Sequence, residues 1–275
     1  MNPSRPGQRP LVSVVMTVLN PQPVYFRQAV RSILGQTLGD FELLILDEPS
    51  PRPARALLAD TPDPRIRYHF HPRPSSLVDE KNRGLALARA DLVAMHDADD
   101  VAEPDRLRKQ VDYLRRHPDV ALLGSQIAVI DAEGKLVGFR AYPTDHEAIV
   151  RSMRRYNPLA HPSIMGRKSV LVEAGGYRKY VAEDYEFWSR LARQGVRFAN
   201  HPEALVRYRI HPGGLKSARL RAILRGTHEV KDLYWRGRMG LGDTARRWGE
   251  RLLLLLPPWL VLKLFMKTQY RSRKK

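Results

Sequence analysis

The chain is predicted to adopt an α/β fold with a Rossmann-like, mostly parallel sheet flanked by helices. Three short apolar runs, at residues 11–19, 41–46 and 92–96, are rich in aliphatic and β-branched residues and fit buried strands. Segments with helical spacing separate them. Strand and helix alternating in this rhythm predict parallel units joined by right-handed crossovers. Ligands bind beyond the carboxyl ends of such strands, so a site is expected at that rim.

The remaining elements follow in chain order. The first half adds a helix at residues 26–34 that Gly35 ends, a Pro-rich loop at 49–53, a short alternating strand at 66–70 and a helix at 79–89. The second half adds a strand at 121–130, a turn at 131–134, a short helix opened by a capping box at Thr144 and Glu147, a strand at 163–165, a break at Gly175 and Gly176, an amphipathic helix at 183–193 and a strand at 205–210.

Composition limits the class of protein. The 275 residues, 43% of them hydrophobic, suffice for one large α/β domain or one domain with an appendage. No cysteine is present, which excludes disulfides and thiolate metal sites and fits a reducing cytosol. Residues 1–10 are polar and Pro-rich, so we expect a disordered N-terminal segment and no signal peptide.

The net charge of +18 is concentrated near the C-terminus. From Lys216 onward the sequence has 16 Lys and Arg against 4 Asp and Glu, a net charge of +12. An apolar stretch at residues 252–266 contains Pro257-Pro258 and Lys263, and it is shorter than the roughly 20 residues that span a bilayer. We therefore predict a basic amphipathic helical extension at 216–275 that binds an anionic membrane surface from the cytoplasm, peripherally on the inner face of the cell membrane. The alternative is a helix packed on the domain core.

The acidic turn Asp97-Ala98-Asp99-Asp100 is the strongest chemical signal. It follows a buried strand directly, and three carboxylates within four residues repel one another unless a cation offsets them. Hard oxygen ligands at this density suit Mg²⁺ or Mn²⁺, which usually accompany phosphates. The alternative is a solvated turn that caps the next helix, since carboxylates also favour helix starts.

Six short segments in a fixed order and spacing say more than any one of them alone. They are residues 11–20, residues 36–48, Asn82-Arg83-Gly84, Asp97-Ala98-Asp99-Asp100, Glu183-Asp184-Tyr185-Glu186-Phe187-Trp188 and Tyr208-Arg209-Ile210-His211-Pro212-Gly213. Together they resemble the family 2 glycosyltransferases, inverting enzymes with the GT-A fold. The resemblance implies a catalytic domain at residues 11–215.

The resemblance also implies a reaction and a set of roles. A sugar would pass from a nucleoside-diphosphate sugar, with a uridine donor expected, to a hydroxyl of a glycan or lipid-linked acceptor in cell-surface polysaccharide or glycolipid assembly. Mn²⁺ or Mg²⁺ would lie on Asp99 and Asp100, with Asp97 on the metal or the ribose. Asp184 would be the general base, with Glu183 orienting. Donor-binding candidates are Thr17, Asn20, Asp47, Glu48, Lys81, Arg83, Asp97, Arg209 and His211.

Two positions depart from the family pattern. Asp47-Glu48-Pro49-Ser50 stands where two aspartates usually precede Gly-Ser or Asn-Ser, which affects the expected contact to the nucleotide base. Lys81 replaces an arginine, keeping the charge but losing bidentate geometry.

Other interpretations remain open from the sequence. Glu183 and Asp184 also fit a helix start that the macrodipole favours, and His161 is either structural or on the acceptor side. A catalytically inactive glycosyltransferase-like scaffold would keep the same motifs. A basic nucleic-acid binder is the less favoured alternative, because the charge does not interleave with aromatic residues and no nucleic-acid motif is present.

Overall fold

The computed structural model describes residues 9–211 and 220–253. The strands in this part of the chain are β1 (Val12–Val18), β2 (Phe41–Asp47), β3 (Ile66–Phe70), β4 (Leu92–Met95), β5 (Val101–Ala102), β6 (Val120–Ile130), β7 (Leu136–Arg140), β8 (Met165–Arg167) and β9 (Arg197–Arg209). The helices are α1 (Pro23–Leu34), α2 (Ala54–Leu57), α3 (Leu77–Leu87), α4 (Arg106–Arg116), α5 (His146–Ser152), α6 (Lys168–Glu173), α7 (Glu183–Arg193), α8 (Leu220–Tyr234) and α9 (Leu241–Leu253).

One sheet organises the described residues. Its nine strands run in the order β3-β2-β1-β4-β8-β6-β9-β5, with β7 paired to β6 outside this path. Strands β3, β2, β1 and β4 are parallel neighbours, while β8 is antiparallel to both β4 and β6. In the register, Val18 faces Asp47 and Val15 faces Met95, so the ends of β1, β2 and β4 lie side by side. The sheet is thus parallel where the sequence predicts it and mixed beyond β4.

Both faces of the sheet are covered. Val14 and Met16 of β1 belong to a buried cluster that includes α1 and α4, while Val15 belongs to a second cluster that includes α3 and α7. This alternation follows from the two-residue period of a strand. Helix α3 comes unusually close, because a Cβ added at Gly84 would lie 2.4 Å from a methyl of Val15. The glycine of the Asn82-Arg83-Gly84 segment therefore serves helix–sheet packing.

The described part of the C-terminal segment folds back onto this body. Helix α8 packs on α7, with Val230 and Trp235 buried in the second cluster. The Trp235 indole N–H donates a 2.9 Å hydrogen bond to Ser189 Oγ of α7. Helix α8 thus packs on the body of the protein, while the domain boundary at residue 215 stays a prediction. Residues 1–8 and most of the apolar stretch at 252–266 lie outside the described residues.

Several elements differ from the sequence prediction. The short strands β5 and β7 and the helices α2, α4 and α6 were not predicted, and β9 begins eight residues earlier than expected at Arg197. Strand β8 starts at Met165 because residues 161–163 form a 3₁₀ turn. Asp145, not Thr144, caps α5 by accepting a 2.8 Å hydrogen bond from the Ala148 backbone N–H. Neighbouring capping residues of similar strength explain that shift by one position.

Candidate active site

The acidic turn begins two residues after β4 ends, at the carboxyl rim of the sheet. The His96 N–H donates to Val15 O at 3.0 Å, which ties the start of the turn to β1. The side chains of Asp97 and Asp99 are each 39% exposed, whereas Asp100 is fully buried. Two of the three carboxylates are therefore partly open to solvent, and the third is enclosed by the protein.

Asp100 accepts a hydrogen bond from the last residue of β9. The Arg209 backbone N–H donates a 2.8 Å hydrogen bond to Asp100 Oδ1. The Arg209 guanidinium donates to Asp99 O, Asp131 O, Ala132 O and Gln28 Oε1, and Arg209 is only 3% exposed. Asp100 Oδ1 and the Arg209 guanidinium are thus engaged inside the protein, and Asp100 as a metal contact and Arg209 as a diphosphate ligand stay predictions.

A second arginine lies beneath the turn. Arg106 is fully buried and donates to Met95 O at 2.8 Å, while its Nη1 lies 3.0 Å from His96 Nδ1. Burial lowers the pKa of Arg106 to about 10, although the charges of Asp100 and Asp97 oppose this shift. Burial and Arg106 lower the pKa of His96 to about 3, so that imidazole is neutral. Part of the counter-charge for the acidic turn thus comes from the protein itself.

Asp97 faces a buried histidine. His161 Nδ1 lies 3.5 Å from Asp97 Oδ1, and its Nε2 lies 3.1 Å from the Tyr177 hydroxyl. Burial raises the pKa of Asp97, but the hydrogen bond and charge of His161 and the charge of Lys81 outweigh it and lower the pKa below its usual range. Asp97 is therefore a carboxylate, in contact with His161 from the second half of the chain.

Asp99 contacts a second histidine, His211. His211 Nε2 lies 3.0 Å from Asp99 Oδ2, and the His211 ring packs 5.1 Å from the ring of Tyr25. Burial and the neighbouring Asp97 charge raise the pKa of Asp99, although His211 acts in the opposite direction. A carboxylate held next to a second one is a natural position for a cation.

Glu183 is the first residue of α7 and pairs with Lys81 of α3. Lys81 Nζ lies 2.6 Å from Glu183 Oε1, with the two side chains 4% and 15% exposed. Burial raises the pKa of Glu183, but Lys81 outweighs it and the pKa is lowered. Lys81 also lies 5.3 Å above the ring of Tyr177. The predicted diphosphate ligand Lys81 is therefore part of the link between α3 and α7.

Asp184 is held by an asparagine from the loop after α5. Asn157 Nδ2 donates a 2.8 Å hydrogen bond to Asp184 Oδ2, and the Tyr185 N–H donates to Asp184 Oδ1 at 2.7 Å. The carboxylate also lies in the first turn of an 11-residue helix, where the macrodipole favours negative charge. These contacts fix the direction of the carboxylate.

The segment before α7 is fixed by Asn82. Its Nδ2 donates to Tyr177 O at 2.9 Å and its Oδ1 accepts from the Tyr177 N–H at 2.8 Å. Gly176 adopts a φ of +64°, and a Cβ there would lie 2.4 Å from Asn82 Oδ1. Helix α3 therefore positions both Glu183, through Lys81, and the chain that leads to it.

The predicted nucleotide-base residues are largely enclosed. Asp47 is fully buried, and its Oδ2 accepts from the Ala54 N–H at 2.8 Å and the Tyr68 hydroxyl at 2.7 Å. Glu48 is 6% exposed and accepts from the Ser75 N–H at 2.8 Å. Asp47 Oδ2 thus joins β2 to β3 and α2, whereas its Oδ1 has no hydrogen-bond partner among the described residues, and its contact with the nucleotide base stays a prediction.

Three further candidates lie at different places. Arg83 lies 3.7 Å from Glu80 and is close enough to His69 of β3 to act on it electrostatically. Thr17 lies near the end of β1, and Asn20 is exposed with a φ of +48°, a left-handed conformation that Asn tolerates. Their contacts with the donor stay predictions.

The donor set suits a metal that takes few protein ligands. Within residues 9–211 and 220–253, no group of three or more His, Cys, Asp and Glu side chains is arranged to hold a metal ion. Mg²⁺ commonly keeps several waters and uses one or two carboxylates plus substrate phosphates. Two partly exposed aspartates on one turn fit that mode, and a closed protein cage does not.

The sequence does not single out every residue that surrounds the candidate carboxylates. Tyr25, Asn157 and Tyr177 were not anticipated, and His161 was left undecided. Asn157 precedes Pro158 and Tyr177 follows two glycines, so both read as loop positions with no chemical signature. Only the tertiary structure brings them to the acidic turn and α7.

Comparison with known proteins identifies the class. The sequence model described as glycosyl transferase family 2 matches residues 13–175, more than half of the chain. The chain therefore belongs to glycosyltransferase family 2, and the resemblance seen in its motifs is confirmed. Its α/β sheet is that of the GT-A glycosyltransferases.

Particular relatives agree with this assignment. The O-antigen biosynthesis glycosyltransferase WbnJ of Escherichia coli is 31% identical over 207 residues, covering 73% of this chain and 80% of that protein. The E. coli UDP-Gal:alpha-D-GlcNAc-diphosphoundecaprenol beta-1,3-galactosyltransferase is 24% identical over 225 residues, covering 76% and 80%. Mannosyltransferase PcManGT from Pyrobaculum calidifontis, solved with GDP-Man and Mn²⁺, has a TM-score of 0.61 at 17% identity, covering 94% and 73%. That last likeness supports the fold.

Proposed function

We propose that this glycosyltransferase moves a sugar from a nucleoside-diphosphate sugar, preferentially a uridine one, to an acceptor hydroxyl with inversion at the anomeric carbon. One observation carries the proposal. The acidic turn and the Glu183–Asp184 pair share the same neighbours, because His161 contacts Asp97, Tyr177 contacts His161, and Lys81 contacts Glu183 beside Tyr177. The acidic turn and the candidate base are therefore linked through one set of shared side chains, which supports their acting on the same bound donor.

The rim would hold the diphosphate end of the donor. Breaking the sugar–phosphate bond leaves negative charge on the departing nucleoside diphosphate. Asp99 and Asp97 would hold Mn²⁺ or Mg²⁺, which when bound stabilises that charge. Asp100 and Arg209 would keep the turn in shape, since each is buried in contacts with the other's chain segment. His211 would orient Asp99.

The start of α7 would supply the general base. Asp184 takes the proton of the acceptor hydroxyl, and a base opposite the leaving group gives inversion. Asn157 holds one oxygen of the Asp184 carboxylate in the first turn of α7. Glu183 and Lys81 position α7 against α3 through their ion pair.

The donor and the metal draw support from the relatives. The E. coli galactosyltransferase is named for a UDP-Gal donor, which favours uridine here. The Pyrobaculum mannosyltransferase was solved with GDP-Man and Mn²⁺, which favours a divalent ion and keeps guanosine donors in the test. Glu48 directly follows β2 and accepts a hydrogen bond from the Ser75 N–H, so both residues would lie near the nucleotide base of the donor.

The acceptor is proposed to be a glycan or lipid-linked sugar at the inner face of the cell membrane. The relatives named for O-antigen biosynthesis and for a diphosphoundecaprenol acceptor support this class. The basic C-terminal segment would bring the enzyme to the anionic membrane surface, because each Lys or Arg near such a surface adds about 1 kcal/mol. Among the described helices, none has the length and apolarity needed to cross a bilayer.

A thermal-shift screen tests the proposal. UDP-sugars and GDP-mannose are added with Mn²⁺ or with a chelator; a donor present at 100 times its Kd stabilises by about 2.7 kcal/mol, or about 5–10 °C for a chain of this size. The shift should vanish with chelator and in Asp99→Ala, and persist in Glu173→Gln, a control at the end of α6. No metal-dependent shift with any donor would favour the inactive scaffold instead.

A further inference from the structure

Helix α9 turns three of its five charged residues towards the body of the protein. Asp243, Arg247 and Glu250 recur at spacings of four and three, so they share one helix face. Their side chains are 9%, 14% and 21% exposed. A surface helix normally presents its charged residues to solvent, so three charged residues turned towards the body need partners there.

Ion pairs hold α9 in this orientation. Arg155 Nε lies 2.5 Å from Asp243 Oδ1, and Lys231 Nζ lies 2.5 Å from Glu250 Oε2, with Lys231 itself 3% exposed. Arg247 pairs with Asp232 of α8. Rotating the helix to bury its apolar side would leave Lys231 buried without its partner, which is costly.

The outward face is aromatic and basic. Trp248 is 63% exposed, whereas Trp188 and Trp235 are at most 1% exposed. The side chains of Arg246 and Arg251 are 49% and 43% exposed although they pair with Glu250 and Asp232, and the Arg251 guanidinium lies 5.4 Å above the Trp248 ring. An exposed indole next to exposed arginines is typical of helices that lie in a membrane interface.

We propose that the outward face of α9 lies on an anionic lipid surface, with Trp248 at headgroup depth and Arg246 and Arg251 on the phosphates. This deepens the membrane partner proposed above and rests on it. The segment from Lys216 onward has a net charge of +12, so a second copy docking the same face would bring like charges together, and charge complementarity favours anionic lipid. Because α8 packs on α7, docking α9 would also set the position of Asp184 relative to the lipid.

Vesicle flotation of the full chain tests this face. Vesicles with about 30% phosphatidylglycerol in phosphatidylcholine are compared with pure phosphatidylcholine, since the anionic fraction supplies the attraction. Trp248→Glu should lower binding to anionic vesicles at least about tenfold. Val172→Glu, at another exposed apolar residue that is 50% exposed, should bind like the parent. Quenching of tryptophan emission by brominated lipid in a Trp259→Phe background should disappear on further Trp248→Phe replacement.

Each other outcome overturns the assignment in a recognisable way. Loss of binding in Trp259→Glu but not in Trp248→Glu would move the membrane contact beyond α9 and keep the proposed membrane partner. No vesicle binding by the parent would overturn both. Self-association that Trp248→Glu abolishes, without vesicle binding, would identify a second copy as the occupant. Metal-dependent donor hydrolysis should stay at the parental rate in Trp248→Glu, so the sugar-transfer proposal is tested separately.

Discussion

Replacing Lys81 by methionine should destabilise the protein more than replacing both Lys81 and Glu183. The pair is 2.6 Å apart with side chains 4% and 15% exposed, so Lys81→Met leaves an enclosed carboxylate without its cation. Breaking a buried pair on one side costs 3–5 kcal/mol in general. We expect about 3 kcal/mol here, since Glu183 keeps some solvent and the charge of His161. That corresponds to a melting temperature lower by about 6–12 °C.

A double-mutant cycle measures the coupling. Lys81→Met, Glu183→Gln and the double variant are melted by circular dichroism and by urea at neutral pH. The double variant should regain at least about 1 kcal/mol over the sum of the single losses. Lys109 and Glu203 form a control pair at the same 2.6 Å, but 35% and 56% exposed, and Lys109→Met should cost under about 1 kcal/mol. Additive losses in the Lys81 cycle would refute the proposed link between α3 and α7.

Three further predictions concern the base, the C-terminal helix and acid stability. Asn157→Ala should lower kcat about tenfold with donor KM unchanged, because Asp184 loses an orienting hydrogen bond; steady-state kinetics check this, and a change in KM alone would contradict it. Gly226→Ala should lower both melting temperature and kcat, because its Cβ would lie 2.9 Å from the loop before α7, whereas Gly237→Ala meets nothing within 4 Å and should match the parent. Burial raises the pKa of Glu42, but its hydrogen bonds outweigh this and the pKa lies below the usual 4.5; its stabilisation is therefore full above that value and lost as pH falls, so melting curves of Glu42→Gln should change less than the parent's between about pH 6 and pH 3.

The sequence predicts those parts of the fold that depend on local pattern. The strands β1, β2 and β4 and the helix α7 follow from apolar runs and periodicity, and the strand ends place Asp47 and Asp97 at one rim. Strand β7 is not predicted from the sequence. Leu136 and Val137 are both exposed, so the segment lacks the alternation of a half-buried strand. Long-range pairing decides such elements.

The division of roles within the acidic turn is beyond sequence pattern for the same reason. Asp97, Asp99 and Asp100 are equivalent in the sequence, and only the arrival of β9, 109 residues after Asp100, buries one of them under the Arg209 amide. The Asn157 contact to Asp184 spans 27 residues and uses a loop without a recognisable motif. Residue type indicates the chemistry, whereas partners distant in sequence decide which carboxylate can perform it.

Separate measurement of donor binding and transfer in Asp99→Ala and Asp184→Asn tests the central claim most directly. Donor affinity is measured by calorimetry with Mn²⁺, and transfer or donor hydrolysis by release of the nucleoside diphosphate. Asp99→Ala should lose metal-dependent donor binding, while Asp184→Asn should bind the donor like the parent and turn over at least about 10²-fold more slowly. Transfer at the parental rate by Asp184→Asn, or unchanged metal-dependent binding by Asp99→Ala, would contradict the assignment of base and rim.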